Sequence, residues 1–283
     1  MTHSRSPSPR AGRATSYSAD ECTSSKNAYC LSSTKEALTT EHLIQPRLRG
    51  EREALRVLLA TRHGAVLAST AAINQLKALI VSAPDGLRSE LRKLKRPEQI
   101  AYCAQFRDRP AQDLEHRMTV RAMRSTAQRV QALQAEAKGL ENEILTLVRQ
   151  QAPALLDLLG VGPITAAQIL VSWSHQGRFR SEAAFASFAG VSPIPASSGL
   201  TNRHRLNRSG DRQLNRAMHT ITLIRMRLDP STKTYVARKI AEGKTSRDAQ
   251  RCLKRVICRQ VFKILERSDR NQLGNVEALT QAA

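Results

Sequence analysis

Residues 155–170 read LLDLLGVGPITAAQIL, and this stretch decides the fold. Leu155, Leu156, Leu158 and Leu159 form one apolar run, and Ala166, Ala167, Ile169 and Leu170 form a second. Gly160-Val161-Gly162-Pro163 separates them. The reading is helix, tight turn, helix. Gly160 and Gly162 permit backbone conformations denied to other residues. Their amides, with the start of the next helix around Thr165, can then face a phosphate of a nucleic acid. Ala166 and Ala167 let the two helices approach closely. The pattern fits a helix-hairpin-helix; the alternative is an αα-hairpin that only packs.

Upstream the periodicity is also helical. From Glu51, Leu55, Leu58, Leu59, Val66, Ile73, Leu76 and Ile80 recur every three to four residues. Pro84-Asp85-Gly86 ends that helix with turn chemistry. Shorter helices are expected over 87–94 and 97–106, with Pro97 suited to a first turn. Residues 113–150 form the longest periodic stretch. There Val130, Leu133, Ala137, Leu140, Ile144 and Leu147 keep alternating spacings of three and four. That is a short heptad seam, so a coiled-coil hairpin with the 51–82 helix, a coiled-coil dimer and an ordinary core helix are all open. Gly139 weakens it slightly.

Downstream, helices are shorter and their starts are readable. Ser181, Asp229 before Pro230, and Thr245 with Asp248 three residues on stand at cap positions. One helix over 211–228 shows Leu214, Ala217, Met218, Ile221 and Ile224 on one face. Another over 247–267 shows Leu253, Val256, Ile257, Val261 and Ile264. No alternating strand pattern stands out, and the last sixteen residues carry no strong periodicity. The expected fold class is mainly α. Residues 1–45 are a disordered tail, 46–152 a long-helix region, 153–267 a compact α-helical domain with the hairpin, and 268–283 a C-terminal tail. Fifteen of the first 42 residues are Ser or Thr, a composition that buries too little to offset chain entropy.

Charge narrows the function. Over 283 residues, 45 Lys+Arg against 24 Asp+Glu give +21, which points to a polyanionic partner, nucleic acid first. Residues 201–267 alone hold 18 Lys or Arg and 5 Asp or Glu. Arg203, Arg205, Arg208, Arg212 and Arg216 crowd the start of that segment, and arginine pairs bidentately with phosphate. Aromatics are only 4%, which argues against a β sandwich. No run of 18 apolar residues marks a membrane span, and the N-terminus lacks the apolar segment of a secretory signal. The five cysteines are odd in number and widely spaced, which fits free thiols in a reducing cytoplasm and not a zinc site. Just before the arginine cluster, residues 191–199 read VSPIPASSG. A serine on such a Pro/Gly-shaped loop beside arginines has the chemistry to attack a phosphodiester; a plain turn is the alternative.

Several phrases carry a family resemblance. They are LGVGP at 159–163, FRSEAAFA at 179–186, FAGVSPIPASSG at 188–199 and RLNRSGDR at 205–212, with EALR at 53–56 and AAINQL at 71–76. Over residues 46–265 the chain resembles transposases of the IS110/IS116/IS902 family, relatives of Piv-type DNA invertases. The resemblance implies a recombinase that moves an insertion sequence, bound to DNA and guided by a structured bridge RNA. It implies a two-part active site, in which an N-terminal RuvC-like domain supplies a DEDD set of acids for magnesium and the C-terminal domain supplies a serine nucleophile. That nucleophile maps onto Ser198, with Ser197 as the neighbouring alternative. Ser209 also precedes a glycine, but reads locally as the N-cap of the next helix. The region expected to hold the DEDD set is here the Ser/Thr-rich tail, whose acids are Asp20, Glu21, Glu36 and Glu41. None makes the closely spaced aspartate pair expected just before the middle region. The expectation is therefore an N-terminally shortened recombinase of the bacterial cytoplasm, without a cofactor of its own and inactive alone, that self-associates through its long helices. The alternative is a non-catalytic nucleic-acid-binding module.

Overall fold

The structure, a computed structural model, describes residues 46–107, 113–196, 204–205, 207 and 209–281. Their fold is mainly α, with nine α-helices. Helix α1 (Glu51–Ser82) and helix α4 (Leu114–Gln151) are the longest pair of the N-terminal half. They lie antiparallel: Arg52 meets Gln151, Arg62 pairs with Glu141 at 2.9 Å, and Arg129 meets Gln75. The heptad seam thus closes within one chain. Val130 and Ile144 are fully buried along it, as are Leu55 and Leu76 opposite. Gly139 falls on the solvent side of α4, where a missing side chain costs no packing.

The hairpin holds a buried cluster at each end. At the far end, α2 (Asp85–Arg92) and α3 (Arg96–Ala104) fold Leu87, Leu91, Ile100 and Cys103 onto Ile80, Met123 and Val130. Pro97 does sit in the first turn of α3. At the near end Leu55, Ile144 and Val148 join a larger core with α5 (Pro163–Trp173), α6 (Glu182–Phe188), α7 (Arg212–Leu228) and α9 (Ser246–Gln281). Helix α8 (Pro230–Ala241) packs on α7 and α9. Trp173 and Phe185 are among the largest side chains fully buried there. Burial of each such side chain contributes roughly 1.5–3 kcal/mol.

Three caps form as the sequence predicts. Ser181 accepts from the Ala184 amide at 3.2 Å, Asp229 from Ser231 at 3.1 Å, and Thr245 from Asp248 at 3.2 Å. The cap of α7 is a correction. It is Asp211, not Ser209: the Asp211 carboxylate accepts from the Gln213 and Leu214 amides at 2.8 and 3.0 Å. Ser209 instead donates to the Asn207 side chain at 2.7 Å. A carboxylate at the helix start gains from the dipole as well as from the hydrogen bonds. A two-residue antiparallel ribbon, β1 (Ile194–Pro195) with β2 (His204–Arg205), is too short to show an alternating pattern. Helix α9 runs on to Gln281, through residues whose sequence has no strong periodicity.

The start of α1 is locked to the near core. The Leu48 amide donates to Ser174 Oγ at 3.1 Å, and Arg52 Nε donates to the Ser174 carbonyl at 3.1 Å. Arg52 also pairs with Asp269 at 3.5 Å. Burial lowers the Arg52 pKa, with Asp269 and Glu51 opposing. By length and composition α1 is apolar enough to cross a bilayer, with an 18-residue window of mean hydropathy 1.4. Here one face of it packs on α4. Val57, Leu67 and Val81 on another face stay exposed.

Candidate nucleic-acid interface

The hairpin turn is built as read, but its two glycines do different work. Gly160 has φ +88°, and a Cβ there would meet the Ile221 carbonyl at 3.2 Å and Ile224 at 3.3 Å. Its role is close approach of the turn to α7. Gly162 is extended, φ −102°, with nothing within 4 Å of a Cβ, so that side of the turn is open. Thr165 Oγ1 accepts from the Gly162 amide and donates to the Gly162 carbonyl, both at 2.9 Å. Its hydroxyl is thus engaged in capping α5. Ala166 and Ala167 are fully buried in the near core.

A second feature is a clamped loop. Residues 187–190, which end α6, are stapled to residues 207–215, which start α7. The Asp211 amide donates to the Phe188 carbonyl at 2.7 Å, Asn207 to the Ser187 carbonyl at 3.1 Å, and Asn215 to the Ala189 carbonyl at 2.8 Å. A Cβ on Gly210 would stand 2.5 Å from the Gly190 nitrogen, so two backbones touch where only glycine fits. Gly190 itself has φ +66°. Between the arms of this clamp, β1 and β2 pair Ile194 with Arg205. Ser197, Ser198 and Arg203 fall in the sequence between those strands, outside the described residues, as does Arg208.

Three of the five candidate arginines are described. Arg205, Arg212 and Arg216 are exposed, and none pairs with a carboxylate among the described residues. Arg212 and Arg216, four apart, share one face of α7. On the adjoining strip of α7 lie groups that sequence reading missed. Asn215 Oδ1 accepts from Lys254 Nζ of α9 at 3.3 Å, and His219 is one turn on. Burial lowers the pKa of Lys254, with Arg251 adding. Burial, then Lys254, lowers that of His219. Only the i, i+4 spacing of Asn215 and His219 was visible in sequence; their meeting with Lys254 is tertiary. Among the described residues no three His, Cys, Asp or Glu side chains gather to hold a metal ion. The described residues alone do not make a magnesium site.

The family described as Transposase IS116/IS110/IS902 matches residues 152–237. The chain is 36% identical over 128 residues to the insertion element IS110 uncharacterized 43.6 kDa protein of Streptomyces coelicolor, over 44% of this chain and 32% of that protein. It is 33% identical over 133 residues to the insertion element IS900 uncharacterized 42 kDa protein of Mycobacterium paratuberculosis, over 46% and 33% respectively. The matched stretch thus spans about a third of the length of these curated relatives. Residues 152–237, which match the family described as Transposase IS116/IS110/IS902, hold the hairpin turn, the clamped loop and all of α7.

Proposed function

We propose that this chain binds DNA as part of an insertion-sequence transposase and contributes the serine of a serine-dependent recombinase. The observation that carries the reading is the clamped loop. Its hydrogen bonds join the end of α6 to the start of α7, where Arg212 and Arg216 stand, and these two and Arg205 are exposed and unpaired with any carboxylate among the described residues. Unpaired surface arginines are free to neutralise phosphates. In the proposed reaction Ser198 Oγ bonds to phosphorus of a phosphodiester and the departing sugar oxygen takes a proton. Nearby arginines stabilise the charge that builds on phosphorus. Ser197 is the alternative nucleophile. A base, and the magnesium expected of the family, would come from groups other than those described. A bridge RNA is proposed as the second nucleic-acid partner, in a bacterial cytoplasm beside the nucleoid.

Self-association belongs to the same proposal. Val57, Ala60, Gly64, Leu67, Ala71, Asn74, Ala78 and Val81 are all exposed on α1 and alternate spacings of three and four. That spacing matches the seam of a two-stranded coiled coil with a second copy. The second reading, a non-catalytic binding module, draws on the lack of a metal-holding group among the described residues. A cleavage assay on element ends with magnesium separates the readings. Strand exchange abolished by Ser198→Ala supports the nucleophile; exchange that survives it refutes the assignment. Binding titrated across a salt series tests both readings, because a flat dependence removes phosphate-led binding altogether.

A further inference from the structure

A cleft of about 510 Å³ opens between the hairpin turn, the start of α8 and the outer face of α9. Its volume lies within the roughly 300–1,000 Å³ of small-molecule sites. Three cations line it: Arg225, Lys263 and Arg267. Arg225 is only 8% exposed, yet both of its bonded partners are neutral. Nε donates to the Leu159 carbonyl at 2.9 Å and Nη1 to Gln260 Oε1 at 2.7 Å. No carboxylate among the described residues lies within ion-pair distance of it, and Nη2 has no protein acceptor there. Burial lowers the Arg225 pKa, and Asp229 opposes this only through space, without a direct ion pair; a buried guanidinium so weakly compensated gains from a bound anion. Lys263 and Arg267, four apart on α9, present two more positive charges on one exposed face.

Two carboxylates also line the cleft. Asp229 is engaged in capping α8: it accepts from the Ser231 amide at 3.1 Å and from Thr232 Oγ1 at 2.6 Å. Asp157 is left as a hydrogen-bond acceptor at the rim. The remaining wall is aliphatic, from Leu158, Leu159 and Ile264, and Leu159 is 47% exposed. A phosphate alone needs no apolar wall, and a paired duplex presents no base face to one. We infer that this cleft takes one unpaired nucleotide of the bound nucleic acid, its phosphate on Arg225, Lys263 and Arg267 and its base against Leu159 and Ile264. The inference rests on the nucleic-acid reading above. The cleft adjoins the hairpin turn, so a strand held there delivers its neighbouring nucleotides to it. Gln260 and Asp157 offer polar contacts to a base edge, which aliphatic walls do not.

The test uses the full chain and three probes: a fully paired DNA duplex, the same duplex with one extrahelical 2-aminopurine nucleotide, and the RNA counterpart of the bulged duplex. The expected result is about tenfold tighter binding of a bulged probe than of the paired duplex, about 1.4 kcal/mol, with a change in 2-aminopurine fluorescence. The tighter of the two bulged probes identifies the strand as DNA or RNA. Two variants of exposed residues, chosen so that the fold survives, carry the discrimination. Lys263→Gln with Arg267→Gln reduces the preference to below about twofold while weakening all probes. Leu159→Ser reduces the preference and leaves the paired duplex unchanged. Equal binding of bulged and paired probes by the unaltered chain, or a preference that survives both variants, overturns the inference alone. Absence of binding to every probe overturns the nucleic-acid reading with it.

Discussion

Replacing Gly210 by alanine should open the loop clamp. The added Cβ would stand 2.5 Å from the Gly190 nitrogen, 2.6 Å from its Cα and 2.8 Å from the Phe188 carbonyl oxygen. All three are backbone atoms, so no rotamer change relieves the clash. The two arms must separate by about 1 Å to reach ordinary van der Waals distances. That movement breaks the 2.7 Å bond from the Asp211 amide to Phe188 and strains the 2.8 Å bond from Asn215 to Ala189. Each bond is worth about 0.5–1.5 kcal/mol net, and overpacking costs about 1–3 kcal/mol more. The expected loss is therefore about 2–4 kcal/mol. Urea denaturation followed by far-UV circular dichroism measures it, and hydrogen exchange at the Asp211 amide localises it. Gly162→Ala is the control: φ is −102° and nothing lies within 4 Å, so its cost should stay within about 0.5 kcal/mol. If Gly210→Ala is no less stable than that control, the clamp does not hold the loop as argued.

Other outcomes follow from the same geometry. Arg212→Gln with Arg216→Gln should lower the slope of log affinity against log salt by about 0.9 for each phosphate that the pair no longer neutralises, read by fluorescence anisotropy; an unchanged slope takes these arginines out of the interface. Phe185→Ala removes a fully buried ring that stands 5.2 Å from Phe179 and 5.5 Å from Phe262. It should cost about 3–5 kcal/mol in a denaturation experiment, and a loss below about 1 kcal/mol would place the ring outside the core. Burial pushes the Cys103 thiol up to about 11 and the Cys258 thiol up to about 12. A folded-state pKa raised above the unfolded value contributes stability that is whole below about pH 8.5 and lost as pH rises toward those values. The urea midpoint should thus fall between pH 8 and 10.5, and fall less in Cys103→Ala with Cys258→Ala; equal falls would refute the buried-thiol account.

The helical elements were legible because their signals are local. The 3.6-residue period, Pro97 in a first turn and the side chains of Ser181, Asp229 and Thr245 each act within a few residues. The α7 cap was misread because Ser209 and Asp211 are both local candidates. Only the Phe188 carbonyl, which fixes the Asp211 amide from across the clamp, selects between them. The heptad seam announced a helical partner but not which one, since a hairpin and a dimer bury the same face.

By itself the sequence determined that the chain is mainly helical, where the turn at Gly160-Val161-Gly162 lies, and that positive charge gathers after residue 200. Those are matters of period, backbone freedom and composition. Tertiary structure decided that α1 and α4 close on each other, that Gly160 serves packing against Ile221 and Ile224, and that Gly190 and Gly210 touch. It also brought Arg225 beside Lys263 and Arg267 around one cleft, 42 residues apart at the ends in sequence. Such meetings depend on which faces bury together, and no local pattern encodes the pairing of faces distant along the chain.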